Sequence, residues 1–161
     1  MGYSYSSKLD GNTIKQNIND GIAIEHGRYT TILNNIIKNN KQVGIHLWTD
    51  YDDLQPIKYP DSKYSHNYTI KNNTVAANGK NIELQGTTDT VITENFISDS
   101  GVSVYLRQAD INGELVDSVR DSIEYNDFYC TKPPQVNLAL NQPTDANNSP
   151  ETAYKAVDGD K

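Results

Sequence analysis

The sequence predicts an all-β chain, a right-handed parallel β-helix with an Asn ladder, on three observations. An aliphatic residue, two polar residues and an Asn, usually followed two positions later by another aliphatic, recur five times. The copies are Ile14 to Asn17, Ile32 through Asn35 to Ile37, Ile70 through Asn73 to Val75, Ile92 through Asn95 to Ile97, and Ile123 through Asn126 to Phe128. A second, alternating phrase opens each turn: Gly2-Tyr3-Ser4-Tyr5, Gly21-Ile22-Ala23-Ile24, Gly44-Ile45-His46-Leu47, Asn81-Ile82-Glu83-Leu84 and Gly101-Val102-Ser103-Val104. With two long spacings set aside, the period is about 19 to 23 residues. Such a unit buries its apolar side chains only by stacking on copies of itself.

The elements follow in order. Alternation after a Gly or Asn turn marks a short strand with one buried face. On this alignment Ile22, Ile45, Ile82 and Val102 stack inside, as do Ile24, Leu47, Leu84 and Val104. From this strand to the next, three turns need about 11 or 12 residues. The turns opening at Gly44 and Gly101 need about 26 and 22, which places insertions of about 15 and 10 residues at one corner. A fixed Asn at the other corner satisfies turn backbone along the stack. Leucine-rich repeats share the period but need more Leu, and a β-sandwich has no reason to keep one Asn at one corner. The helix is thus expected over 1–130, about five coils that continue a larger protein.

Composition narrows the partners. Hydrophobic residues make up only 35% of the 161, and the formal charge is -7 with a pI near 4.8. That balance excludes nucleic acid or an anionic membrane as the expected partner, since both call for clustered Lys and Arg. A glycan or a divalent cation suits the surface better. No run approaches the roughly 18 apolar residues of a membrane span, and no signal peptide opens the chain. Cys130 is the single cysteine, so no disulfide forms within the chain.

The outward columns of the first strand carry the chemistry. One column holds Ala23, His46, Glu83 and Ser103, and the next Glu25, Trp48, Gln85 and Tyr105, on strands about 4.8 Å apart. Trp48 offers an aromatic platform for a sugar ring, with Gln85, Tyr105 and His26 beside it. The candidate catalytic groups are Glu25, His46, Glu83 and Asp50. Arg107 and Arg28 could meet the carboxylate of an acidic sugar. Asp50, Asp52 and Asp53, in the first insertion, are the candidate ligands for a calcium ion, the one cofactor considered.

After Cys130 the repeat stops, and residues 131–135 read as a Pro linker. Within 136–161, Asn137-Leu138-Ala139, Pro143 and Ala156-Val157-Asp158-Gly159 resemble the opening of discoidin-like domains, the family that includes many carbohydrate-binding modules. The resemblance implies an incomplete β-sandwich segment, with Asp158 and Asp160 as calcium ligands in a complete domain. Likewise Gly21 to Gly27, and Gly44 to Trp48 with the acids after it, resemble bacterial β-helix proteins of the pectate-lyase-like class. This implies an extracellular or cell-surface polysaccharide-active protein. Fold membership alone does not choose the reaction.

Two readings remain open. In the first the groove is enzymatic. Hydrolysis requires two carboxylates about 5 to 10 Å apart, drawn from Glu25, Glu83 and Asp50. A calcium-dependent lyase would instead use the acidic loop, with His46 or Arg107 as base. The lack of a Lys or Arg run leans towards hydrolysis. In the second reading the helix is a scaffold or adhesin, and the C-terminal segment binds the glycan.

Overall fold

A computed structural model describes residues 4–50 and 64–129, and within them the chain winds as a right-handed parallel β-helix. Three parallel sheets form its sides. The first contains Ile22–Glu25, Val43–Trp48, Lys80–Gln85 and Val104–Arg107. The second runs from Lys8–Asp10 through Thr31–Leu33, Thr69–Lys71 and Val91–Thr93 to Ser122–Glu124. The third stacks Thr13–Lys15, Ile36–Lys38, Thr74–Ala76, Phe96–Ser98 and Asp127–Tyr129.

Each strand is three to six residues long, so it sends only one or two side chains inward. Those side chains sit on their equivalents one turn away. Ile32, Ile70 and Ile92 are fully buried in the second sheet, and Ile37, Val75 and Ile97 in the third. In the first sheet Ile22, Ile45 and Ile82 form one stack and Ile24, Leu47 and Leu84 the next. The core is one continuous cluster of these columns, which explains why a low hydrophobic content suffices.

Two Asn ladders close the corners. In the first, each Asn donates its backbone N–H and its side-chain Nδ2 to the Oδ1 of the next: Asn12 to Asn35, Asn35 to Asn73, Asn73 to Asn95 and Asn95 to Asn126, at 2.8–3.0 Å. Those steps span 23, 38, 22 and 31 residues. A turn is therefore 22 or 23 residues, and the insertions add about 15 and 9. The second ladder links Asn17, Asn40, Asn78 and Asn81. Neighbouring corners hold stacked left-handed residues, among them Asn34, Asn72, Glu94 and Tyr125, with φ of 54 to 55°. Asn tolerates that region better than most residues.

Three register expectations are corrected. Ile14 pairs with Ile37 rather than Ile32, and Leu9 is the partner of Ile32. The first ladder copy is thus Leu9-Asp10-Gly11-Asn12-Thr13-Ile14, in which Leu replaces Ile and Gly11 takes the left-handed position. Asn17, assigned to this ladder from the sequence, belongs to the second. Tyr5 bridges Arg28, so it lies at the corner beyond the first sheet. Last, Ile82 pairs with Val104, not Val102. The alternation gave two equally good alignments two residues apart, and Gly101 drew the wrong one. Val104 therefore takes the place assigned to Val102, and Tyr105 the place assigned to Ser103.

Glycines sit where turns approach closely. A Cβ on Gly44 would lie 2.6 Å from the Asn81 carbonyl oxygen and 2.7 Å from Asn78 Nδ2. The second insertion is an antiparallel hairpin, Ala109–Ile111 against Glu114–Val116. Its turn is Asn112-Gly113, both at positive φ, the residues a tight two-residue turn requires.

In the last described turn, Asp121 Oδ1 accepts the Thr90 N–H at 2.8 Å, and burial pushes its carboxyl above the usual range. The ionised form is therefore disfavoured in the fold. Its contribution is fully present below the unfolded value, near 3.8, and is lost as pH rises through the raised folded value. Asp121→Asn retains the acceptor without the charge. It should raise the thermal midpoint at neutral pH, with the gain vanishing near pH 3 in the same melts.

Candidate functional site

The outward face of the first sheet has two columns. His46, Glu83 and Tyr105 are in register with Ala23 in one, and Glu25, Trp48, Gln85 and Arg107 form the other. The sequence-based neighbours His46 with Glu83, and Trp48 between Glu25 and Gln85, are thus in place. Tyr105 moves beside Glu83 and Arg107 beside Gln85.

Glu83 is the centre of the site, and only 3% of it is exposed. Lys80 Nζ reaches one carboxylate oxygen at 2.7 Å and Arg107 Nε the other at 3.0 Å. Both oxygens are engaged, so neither faces a glycosidic bond. Lys80 also lies 4.7 Å from the Tyr105 ring centroid, a cation–π distance, and Arg107 donates to Gln85 Oε1. Around this pair opens a cavity of about 440 Å³ lined by Lys41, Val43, His46, Lys80, Glu83 and Arg107, among others. Two of its cations, Lys80 and Arg107, pair with Glu83, and Lys41 is a third on the same lining.

His46 is held from behind. Its Nδ1 lies 3.0 Å from Asp20 Oδ2, while Asp20 Oδ1 accepts the Val43 N–H at 2.9 Å. Trp48 packs on the imidazole, with ring centroids 4.6 Å apart and planes 31° from parallel. An acceptor at Nδ1 favours the ring proton there, and Nε2 is buried with no hydrogen-bond partner among the described residues. Asp20 and Trp48 together fix the orientation of the imidazole.

The remaining candidates are placed as follows. Glu25 flanks Trp48, two strands from Gln85, so its backbone is about 10 Å or more from that of Glu83. His26, expected to bind substrate, is buried at 2% exposure, and its Nε2 accepts the Asp50 N–H at 3.3 Å. It braces the base of the first insertion. There Thr49 Oγ1 donates to the Gly86 carbonyl oxygen and accepts the Ser65 N–H. Arg28 is buried at the same corner, 4.8 Å from the Tyr5 ring centroid. Asp52 and Asp53 lie outside the described residues, as do Cys130, the linker, and Asp158 and Asp160. Among the described residues no three His, Cys, Asp or Glu side chains converge on a metal position.

Sequence reasoning missed Asp20, Lys41 and Lys80. Alternation puts residue 80 on the inward side with Ile82 and Leu84, yet the Lys80 side chain turns out to Glu83. The alternation fails at Asn81, whose amide is claimed inward by Asn78 and the Ser98 carbonyl. Asp20 stands in a turn. The Asp20-Gly21 pair before a strand was its one signal.

These features define a class, the right-handed β-helices with a groove on one sheet. A family model for a right-handed β-helix region matches residues 1–56. A solved structure with a similar fold is the A-module of the mannuronan C-5 epimerase AlgE6 from Azotobacter vinelandii. It aligns at a TM-score of 0.57 and 14% identity, covering 82% of this chain and 42% of that one. The chain thus spans under half the length of that structure. No match was found among curated proteins.

Proposed function

We propose that the chain is the β-helical part of an extracellular or cell-surface protein that modifies an acidic polysaccharide. The polymer lies along the first sheet. The observation that carries this reading is the pairing of Lys80 and Arg107 with Glu83, with Lys41 lining the same cavity, beside an imidazole held by Asp20. Against the carboxylates of Glu83 and Asp20 these three cations leave an excess of one positive charge, which draws a uronate carboxylate despite the acidic chain as a whole. Neutralising that carboxylate acidifies the proton on the adjacent carbon, and His46, whose Nε2 is buried without a hydrogen-bond partner among the described residues, is the base to take it once bound polymer displaces what covers that atom. The resulting carbanion either expels the neighbouring glycosidic oxygen, which is elimination, or takes a proton on the opposite face, which is epimerisation. Hydrolysis fits less well, because both Glu83 oxygens are engaged and Glu25 stands two strands away. The similarity to a mannuronan-modifying fold supports the substrate class.

The test is an assay of the full-length protein on polymannuronate, polygalacturonate and neutral glucans. Proton NMR reads epimerisation, ultraviolet absorbance reads new double bonds, and reducing ends read hydrolysis. Activity on a uronate is expected, with kcat/KM lowered about 10- to 100-fold in Lys80→Ala and Arg107→Ala, because each removes a charge that holds the substrate carboxylate and stabilises the carbanion beside it. Reducing ends from neutral polymers alone would establish a hydrolase instead. Silence on all, with binding retained, would leave a scaffold.

A further inference from the structure

A second trough lies on another side of the coil, at the corner leading into the second sheet. Here Tyr5, Arg28, His66, Thr88 and Val119 align by isolated bridges and a short parallel pair. One residue further on, Tyr29, Asn67, Asp89 and Arg120 occupy equivalent left-handed positions with φ of 52 to 57°. Together with threonines of the second sheet, Tyr29, Asn67 and Asp89 line a cavity of about 350 Å³, within the range of small-ligand sites, roughly 300–1,000 Å³.

We infer that this trough is a second carbohydrate site, one that takes a neutral sugar unit. Its first element is an aromatic platform. Tyr29, 47% exposed, is braced between Tyr5 at 5.7 Å and His66 at 5.2 Å, both edge-on. A ring fixed in this way presents an apolar surface to the C–H face of a sugar at little entropic cost. Its second element lies further along the stack. Arg120 donates from Nε to Asp89 Oδ1 at 2.6 Å and from Nη2 to Oδ2 at 2.5 Å. The forked pair sets acceptors beside donors, the pattern that vicinal hydroxyls complement. Its charges cancel, in contrast to the three cations of the groove, so it gives a carboxylated sugar no advantage. Three components, the Tyr29 ring, the Asp89 carboxylate and the Asn67 amide, thus line one depression of sugar size, and Arg120 holds Asp89 from beside it. The inference does not rest on the groove's activity.

Affinity electrophoresis of the whole chain in gels containing galactomannan, xylan, dextran or polymannuronate tests it. Retardation is expected in at least one neutral gel, about tenfold weaker in Tyr29→Asn and in Asp89→Asn, and unchanged in Lys80→Ala, which alters the groove. Asn is chosen because it already occupies the equivalent left-handed corner at Asn67, and circular dichroism checks that the variants fold. Tyr29→Phe should retain binding, since the ring persists. The inference is overturned if no neutral gel retards the wild type, if Tyr29→Asn is retarded as strongly as the wild type, or if Lys80→Ala abolishes the retardation.

Discussion

Asn73→Asp should destabilise the chain by about 3–5 kcal/mol, more than any exposed substitution, although it exchanges one nitrogen for one oxygen. Asn73 is 1% exposed. Its Oδ1 accepts from Asn35 N and Asn35 Nδ2, both at 2.9 Å, and an Asp would still serve them. Its Nδ2 donates to the Ile32 and Lys71 carbonyl oxygens and to Asn95 Oδ1 at 2.9–3.0 Å. An Asp oxygen there meets three oxygens and no donor, and its charge is buried. Urea unfolding measures the loss, which should shrink in acid as protonation restores one donor. Asn34→Asp, at an exposed corner where Nδ2 reaches Asp10 Oδ1, is the control and should cost under about 1 kcal/mol. Equal midpoints for Asn73→Asp and wild type would show that the ladder is ornamental.

His46→Gln should lower kcat on a uronate polymer by about 10²–10⁴, the range for removing a positioned base, and urea unfolding beside it measures what loss of the packing on Trp48 costs, since the His46 side chain is only 19% exposed. Asp20→Asn should fall between, about 10- to 100-fold down in kcat, since its carbonyl still accepts the Val43 N–H while the imidazole loses its charged partner. Steady-state rates separate these variants from Lys80→Ala, which should raise KM as well as lower kcat, whereas His46→Gln should leave KM near the wild-type value. A His46→Gln enzyme with wild-type kcat would remove the imidazole from the chemistry.

The fold was legible because period and polarity point the same way. Ile32, Ile70 and Ile92 fall into one column, and Asn35, Asn73 and Asn95 into another, wherever the alignment begins. The alignment slipped where a phrase was degenerate: at Val102 and Val104, which alternate equally well two residues apart, at Ile14, whose aliphatic neighbour five residues earlier is Leu9, and at Tyr5, which bridges Arg28 and not the first sheet. The site was half legible. His46, Glu83 and Trp48 lie inside strands whose register is pinned by buried Ile45, Leu47, Ile82 and Leu84, so their faces follow from parity. Asp20, Lys41 and Lys80 do not follow, because turns and long flexible stems obey no parity. The hydrolytic leaning rested on reading charge along the chain, whereas Lys41, Lys80 and Arg107 come together from separate places in it.

Both Asn ladders run one way between side chains, the amide of one turn donating to the side-chain carbonyl of the turn after it, while Asn35, Asn73 and Asn95 also reach back to a backbone carbonyl of the turn before. Along the ladders, a stack divided between two turns would show side-chain donors on one cut face and side-chain acceptors on the other, beside strand edges that carry both. The ladders of two such faces continue each other only where unlike faces meet, as the links of a polar fibre do.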